Sequence, residues 1–250
     1  MRTIGVLAAC AGVFLNLTAA YALPKRIIIL RHAEKFEKAG LCGVGEKRAQ
    51  ALATQYLGYG AKDSLFANGD QPAAFYANTP HAEETIEPAF STWPKSPSQV
   101  GKAIRFDTTL DLNTWSRKAA KEVLTNYKNE IVVMAWEHSR IANAEFDSKY
   151  STDPLTLYQL LGLFNYKHPP LPLQNWCGSN YDYFWIIDYD PNVEYRGVPP
   201  TPVNIVTRLQ KLQVLPQNTW GSQPPHGVFK HDGGECDATP KPACTPQQGE

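Results

Sequence analysis

A chain of 250 residues, 43% of them hydrophobic, is long enough to bury one sizeable core, and one domain is expected rather than two small ones. Its 24 basic residues balance its 24 acidic ones. That balance excludes the strongly basic surface of a nucleic-acid binder and the acidic tail of a solubilising segment.

The first 22 residues stand apart. Arg2 supplies a positive charge, and an apolar, small-residue run from Ile4 ends in Ala20-Tyr21-Ala22. This is the pattern of a secretory signal with cleavage before Leu23. A buried helix would need a polar face, and a membrane anchor would need anchoring residues where small ones stand. A lipoprotein-type box at Leu7-Ala8-Ala9-Cys10 lies very near the start and ranks below the Ala22 cut. The expected location is secreted or periplasmic, with no stable membrane anchor after signal removal. Loss of Cys10 leaves Cys42, Cys177, Cys236 and Cys244 for an oxidising compartment, with three possible connectivities. Cys236–Cys244 is the first pair to consider. A zinc site on His226, His231, Cys236 and Cys244 is the competing reading.

From Leu23 onward, strand-like and helix-like segments alternate. Ile27 to Leu30 is a continuous aliphatic run, as in a strand buried on both faces. Gly45 to Leu57 has Ala49, Leu52, Ala53 and Tyr56 at helical spacing, with charges opposite, which puts Arg48 on the polar side. Ala73 to Ala77 is a strand running into Asn78-Thr79-Pro80, where Thr79 caps a helix and Pro80 takes its first position. Ser116 to Tyr127 reads as a helix, and Ile131 to Ala135 and Tyr183 to Asp188 as strands. Trp136, Trp176 and Trp185 read as packing residues rather than a carbohydrate platform. From Pro199 the chain is rich in proline and glycine, with a short helical stretch at Ile205 to Leu212 and an irregular tail beyond Gln217. The expected organisation is therefore a signal at 1–22, an α/β domain at 23–198, and an extension at 199–250 packed on that domain. The fold class is a three-layer α/β architecture, a mostly parallel sheet with helices on both faces, and ligands bind beyond the carboxyl ends of such strands.

Two strands end in charge. The first runs into Arg31-His32-Ala33-Glu34-Lys35, and the later one into Trp136-Glu137-His138-Ser139-Arg140. If the two strands are neighbours, both histidines face one crevice, in a chain with only 6 histidines. Arginine's planar fork matches phosphate oxygens, and a nearby cation favours the neutral imidazole that attacks phosphorus. A second histidine donates to the phosphoryl oxygens as charge shifts. This is phosphohistidine chemistry, and it requires no metal or other cofactor. A divalent ion on His32, Glu34, Glu137 and His138 is disfavoured by Arg31 and Arg140 at the rim.

RHAEK after one buried strand and EHSRI after another resemble the histidine phosphatase superfamily, over roughly Lys25 to Asp188. The resemblance implies the phosphoglycerate mutase-like fold, with His32 as nucleophile, Arg31 on the phosphoryl group and His138 as the second pocket histidine. The family pattern S-x-x-R-x-x-x-T falls on Asn78 to Thr85, which aligns Thr85 but places His81 where the arginine stands. Arg48, Arg140 or Lys35 would then have to supply the missing charge. Lys35 either binds an anion or neutralises Glu34. By family position Asp111 is a candidate general acid; Glu137 is another, with Glu83 and Glu84 behind them. The resulting expectation is an exported phosphatase acting on a small phosphomonoester, with phosphate or a small phosphorylated substrate as its partner. The alternative is an impaired relative that binds a phospholigand, motivated by His81.

Overall fold

The computed structural model describes residues 21–35, 40–66, 69–94, 104–167, 174–176, 181–210 and 212. In chain order the elements are β1 (Tyr21–Ala22), β2 (Arg26–Arg31), α1 (Gly43–Leu52) with a π-turn at Ala53–Leu57, β3 (Pro72–Ala77) and α2 (Pro80–Ser91). There follow β4 (Ile104–Arg105), α3 (Leu112–Asn126), β5 (Ile131–Trp136) and three short helices, α4 (His138–Ile141), α5 (Ala144–Lys149) and α6 (Leu157–Leu160). After a 3₁₀ turn at Leu163–Asn165 come β6 (Tyr183–Asp188), β7 (Glu194–Tyr195) and β8 (Asn204–Leu209).

The main sheet has the order β4-β3-β5-β2-β6-β8. Strands β4, β3, β5 and β2 are parallel, while β6 runs antiparallel to both β2 and β8. The aliphatic run in β2 is buried on both faces because successive side chains enter different cores. Ile27 and Ile29 join Val132, Met134 and Trp136 under α3, whereas Ile28 and Leu30 join Val133 and Ala135 under α1 and α2. Two layers of helix around one sheet make the expected three-layer α/β fold. Trp136, Trp176 and Trp185 are all buried in the α3-side core.

The expected helix at Ile205 to Leu212 is instead β8. Asn204 to Leu209 pairs residue for residue with Asp188 to Tyr183. β-Branched Ile205, Val206 and Thr207 suit an edge strand, and eight residues are too few for helical and strand periods to be told apart. The main sheet thus continues past the boundary expected at residue 198.

Tyr21 and Ala22 pair with Tyr195 and Glu194 in a separate ribbon, and the buried Leu23 donates its N–H to the Val193 carbonyl at 3.2 Å. The rest of the expected signal lies outside the described residues. So do Cys177, Cys236 and Cys244, with the proposed Cys236–Cys244 pair and its zinc alternative. Cys42 is disulfide-bonded. No helix among the described residues is long and apolar enough to cross a membrane.

Candidate active site at the carboxyl ends of the central strands

The site begins with strand register. Arg31 stands opposite Trp136 in the parallel β2–β5 pair, so the next residues, His32 and Glu137, emerge together beyond the sheet. The His32 N–H continues the ladder by donating to the Trp136 carbonyl at 3.1 Å. On the other side of β5, Ala77 pairs with Ala135, which brings Asn78 alongside. Its Oδ1 accepts the Glu137 N–H at 2.8 Å. The two charged strand ends therefore do share one crevice.

His32 is fully buried, and its Nδ1 donates to the Ala33 carbonyl at 2.7 Å. That bond fixes the ring and aims Nε2 at Glu137 Oε2, 3.1 Å away. The other carboxylate oxygen, Oε1, lies against His138 Nδ1. One nitrogen or oxygen atom from each of His32, Glu137 and His138 lies within 4.8 Å of the others. Burial, reinforced by the Arg31 charge, lowers the His32 pKa despite the Glu137 hydrogen bond. Burial would raise the Glu137 carboxyl, but hydrogen bonds from His138 and His32 outweigh it and hold the carboxyl far below the usual range.

The loop after β2 is held from several sides. Thr85 Oγ1 of α2 accepts the Ala33 N–H at 2.8 Å and donates to the His81 carbonyl at 2.6 Å. Gly45 in α1 lies so close to this loop that a Cβ there would stand 2.0 Å from the Glu34 carbonyl oxygen. Thr85→Val keeps the shape of that contact but removes the acceptor of a buried N–H. It is expected to cost about 1–3 kcal/mol, measured as a fall in the urea unfolding midpoint.

Glu34 and Arg48 do not serve the crevice as expected. Arg48 is buried rather than surface-exposed, because Glu34, Asp182, the Tyr181 carbonyl and Gln210 converge on it. Its Nε and Nη2 grip Glu34 at 2.8 and 2.5 Å, and its Nη1 meets Asp182 Oδ1 at 2.8 Å. Burial would raise Glu34, but the Arg48 charge and hydrogen bonds hold it below its ordinary value. Burial dominates at Asp182 and pushes it up to about 6 despite the same arginine. Glu34 is thus a buried structural partner rather than a substrate ligand. Arg48 is already engaged and does not supply the charge missing at His81.

The remaining candidates separate by position. Arg31 is buried, with its guanidinium 3.8 Å from the centroid of the Tyr181 ring. His81, the second residue of α2, has its ring centroid 6.1 Å from that of His32 with the planes tilted by 53°, so the position expected for an arginine does face His32. Its Nδ1 is 3.7 Å from Glu84 Oε2. Arg140 is tied by Nε to Asn113 Oδ1 at 2.8 Å and covers the Phe146 ring at 4.5 Å. Lys35 forms an isolated antiparallel bridge with Leu41. Asp111 is the N-cap of α3: it accepts from the Thr114 hydroxyl at 2.6 Å and from the N–H groups of Asn113 and Thr114. The Thr114 bonds hold its carboxyl below its ordinary value. Glu83 and Glu84 line a separate cleft of about 470 Å³ between α1 and α2, together with Glu46 and Glu87.

Two contributors escaped sequence reasoning. Tyr181 supports Arg31 and meets the His32 ring edge-on at 6.2 Å. Asn78 is buried, and its Nδ2 has no hydrogen-bond partner among the described residues. Tyr181 and Asp182 precede a strand whose direction the sequence does not give. Since β6 is antiparallel to β2, its amino end lies beside the carboxyl end of β2. The polar Asn78, directly after the buried run of β3, was the available signal for the other.

No protein-family model matches the chain, and no curated protein is similar to it.

Proposed function

We propose that the protein is an exported phosphatase of the histidine phosphatase type, hydrolysing a small phosphomonoester through a phosphohistidine on His32. The observation that carries this reading is the Nδ1 bond to Ala33, which leaves Nε2 as the nucleophilic atom. Attack forms an N–P bond and breaks the P–O bond to the alcohol. Nε2 attacks through its free lone pair, and the departing alkoxide takes the proton carried by a monoanionic phosphoryl group, relayed through the Glu137 carboxylate beside Nε2. In the second half-reaction Glu137 takes a proton from water, and the water oxygen displaces the phosphoryl group from His32.

Arg31 and His138 bind the phosphoryl oxygens, with Arg31 held on Tyr181. The Asn78 Nδ2–H group offers a further donor at the strand end where the family arginine is missing. The test is hydrolysis of a generic aryl phosphate by the wild type beside a His32 variant.

The position of His81 favours a second reading, a non-catalytic relative that binds a phospholigand. It predicts phosphate binding with turnover at background in the wild type. For an active enzyme the pH dependence has a defined sign. His32 sits below its ordinary 6.5, so it stays neutral through mild acid. The kcat/KM profile is expected to remain flat as pH falls through 6.5 and to decline only below it. An acid limb above pH 6.5 would contradict the assignment of that limb to His32.

A further inference from the structure

We propose that His32, Glu137 and His138 also form a site for a divalent ion of the zinc class, and that metal and phosphomonoester exclude one another there. The exclusion rests on the reading of His32 as the phosphatase nucleophile; the metal site itself does not. Two imidazoles and one carboxylate are a borderline N/N/O donor set, the kind that suits zinc, and the donor atoms already lie within 4.8 Å of one another.

The surroundings match those of metal-ligating histidines. Such histidines donate their other ring N–H to a carbonyl or carboxylate, which fixes the tautomer and directs the free lone pair at the metal. His32 does this through Nδ1 and the Ala33 carbonyl at 2.7 Å. Glu137 is oriented in turn by its N–H bond to Asn78. His138, with a side chain 30% exposed, already holds its Nδ1 against Glu137 Oε1.

The two objections visible in the sequence take a different form in three dimensions. Glu34 turns away to Arg48 and is no part of the donor set. Arg140, expected at the rim, is tied to Asn113 and Phe146, and Arg31 packs over Tyr181. The Glu137 carboxylate lies between the two imidazoles. A metal ion there takes the Nε2 lone pair of His32 and replaces its contact with Glu137 Oε2. The same lone pair is what attacks phosphorus, so an occupied site is a silent phosphatase.

The test is isothermal titration of the full-length protein with zinc chloride, for wild type, His138→Ala and the near-isosteric Glu137→Gln. One wild-type binding event is expected to weaken in both variants by more than the roughly 10–100-fold that losing an outer-shell partner gives. Saturating inorganic phosphate is expected to weaken the same event in the wild type. Identical titrations for all three proteins would overturn the proposal and assign any bound zinc elsewhere, such as the tail residues His226, His231, Cys236 and Cys244. Aryl phosphate turnover is measured in parallel. Zinc bound through the triad without His32-dependent turnover removes the phosphatase and keeps the metal site. Turnover with unchanged zinc titrations does the reverse.

Discussion

Replacing Arg48 with methionine is expected to cost about 3–5 kcal/mol of stability at neutral pH, because it strands two buried carboxylates at once. Methionine fills similar space, so the loss is electrostatic rather than a cavity. The triple variant Arg48→Met, Glu34→Gln, Asp182→Asn should recover most of that loss, since it leaves no uncompensated charge. The pH dependence has a fixed sign. In the wild type Glu34 is held low, so its contribution is present above its unfolded pKa and is lost as pH falls through the folded one. Asp182, pushed up to about 6, has the opposite sign: its contribution is present below its unfolded pKa and is lost as pH rises through 6. In the variant both carboxyls take up protons readily in acid. The stability gap should therefore be widest at neutral pH and close as pH falls, as followed by urea unfolding. A constant gap would mean that the packing of Arg48, not its charge, holds the β2 loop to α1 and β6.

The second large effect is at His32. The His32→Asn variant is expected to lose aryl phosphate hydrolysis on the order of 10⁶-fold, the scale of removing a covalent nucleophile, and so to fall to background. Asparagine keeps a donor near the Ala33 carbonyl and much of the ring's volume, whereas His32→Ala also opens a cavity in a fully buried site. Equal loss in both variants, with a lower unfolding midpoint only for alanine, separates chemistry from packing. Removing His138, which assists without forming the covalent bond, should cost less, about 10²–10⁴-fold. If wild type and His32→Asn hydrolyse equally, the phospholigand-binding reading replaces the enzymatic one.

Much of this arrangement was legible in the residues. Ile27 to Leu30 and Ile131 to Ala135 are apolar on both faces, and only central strands tolerate that. Charged residues directly after each run marked the sheet edge where a site can form. The Asn78-Thr79-Pro80 cap was equally local: Thr79 Oγ1 accepts the Ala82 N–H at 3.1 Å. What stayed hidden depends on contacts between distant segments. Arg48 lies on the polar side of its helix, and nothing nearby announces that Glu34 and Asp182, 134 residues further along, converge on it. The antiparallel direction of β6, and with it the place of Tyr181, is a matter of topology. Residues 204–209 pair as a strand only because β6 offers them an edge. Asp111, the carboxylate at the family position, also caps α3, which the sequence alone did not announce.

The most direct test is to trap the intermediate. The protein is mixed with a labelled aryl phosphate, quenched in alkali, where phosphohistidine survives, and digested for mass spectrometry. The expected result is a single phosphoryl group on His32, absent from the His32→Asn variant. Steady turnover with no label on the protein, or with label on another residue, would contradict the assignment of His32 as nucleophile.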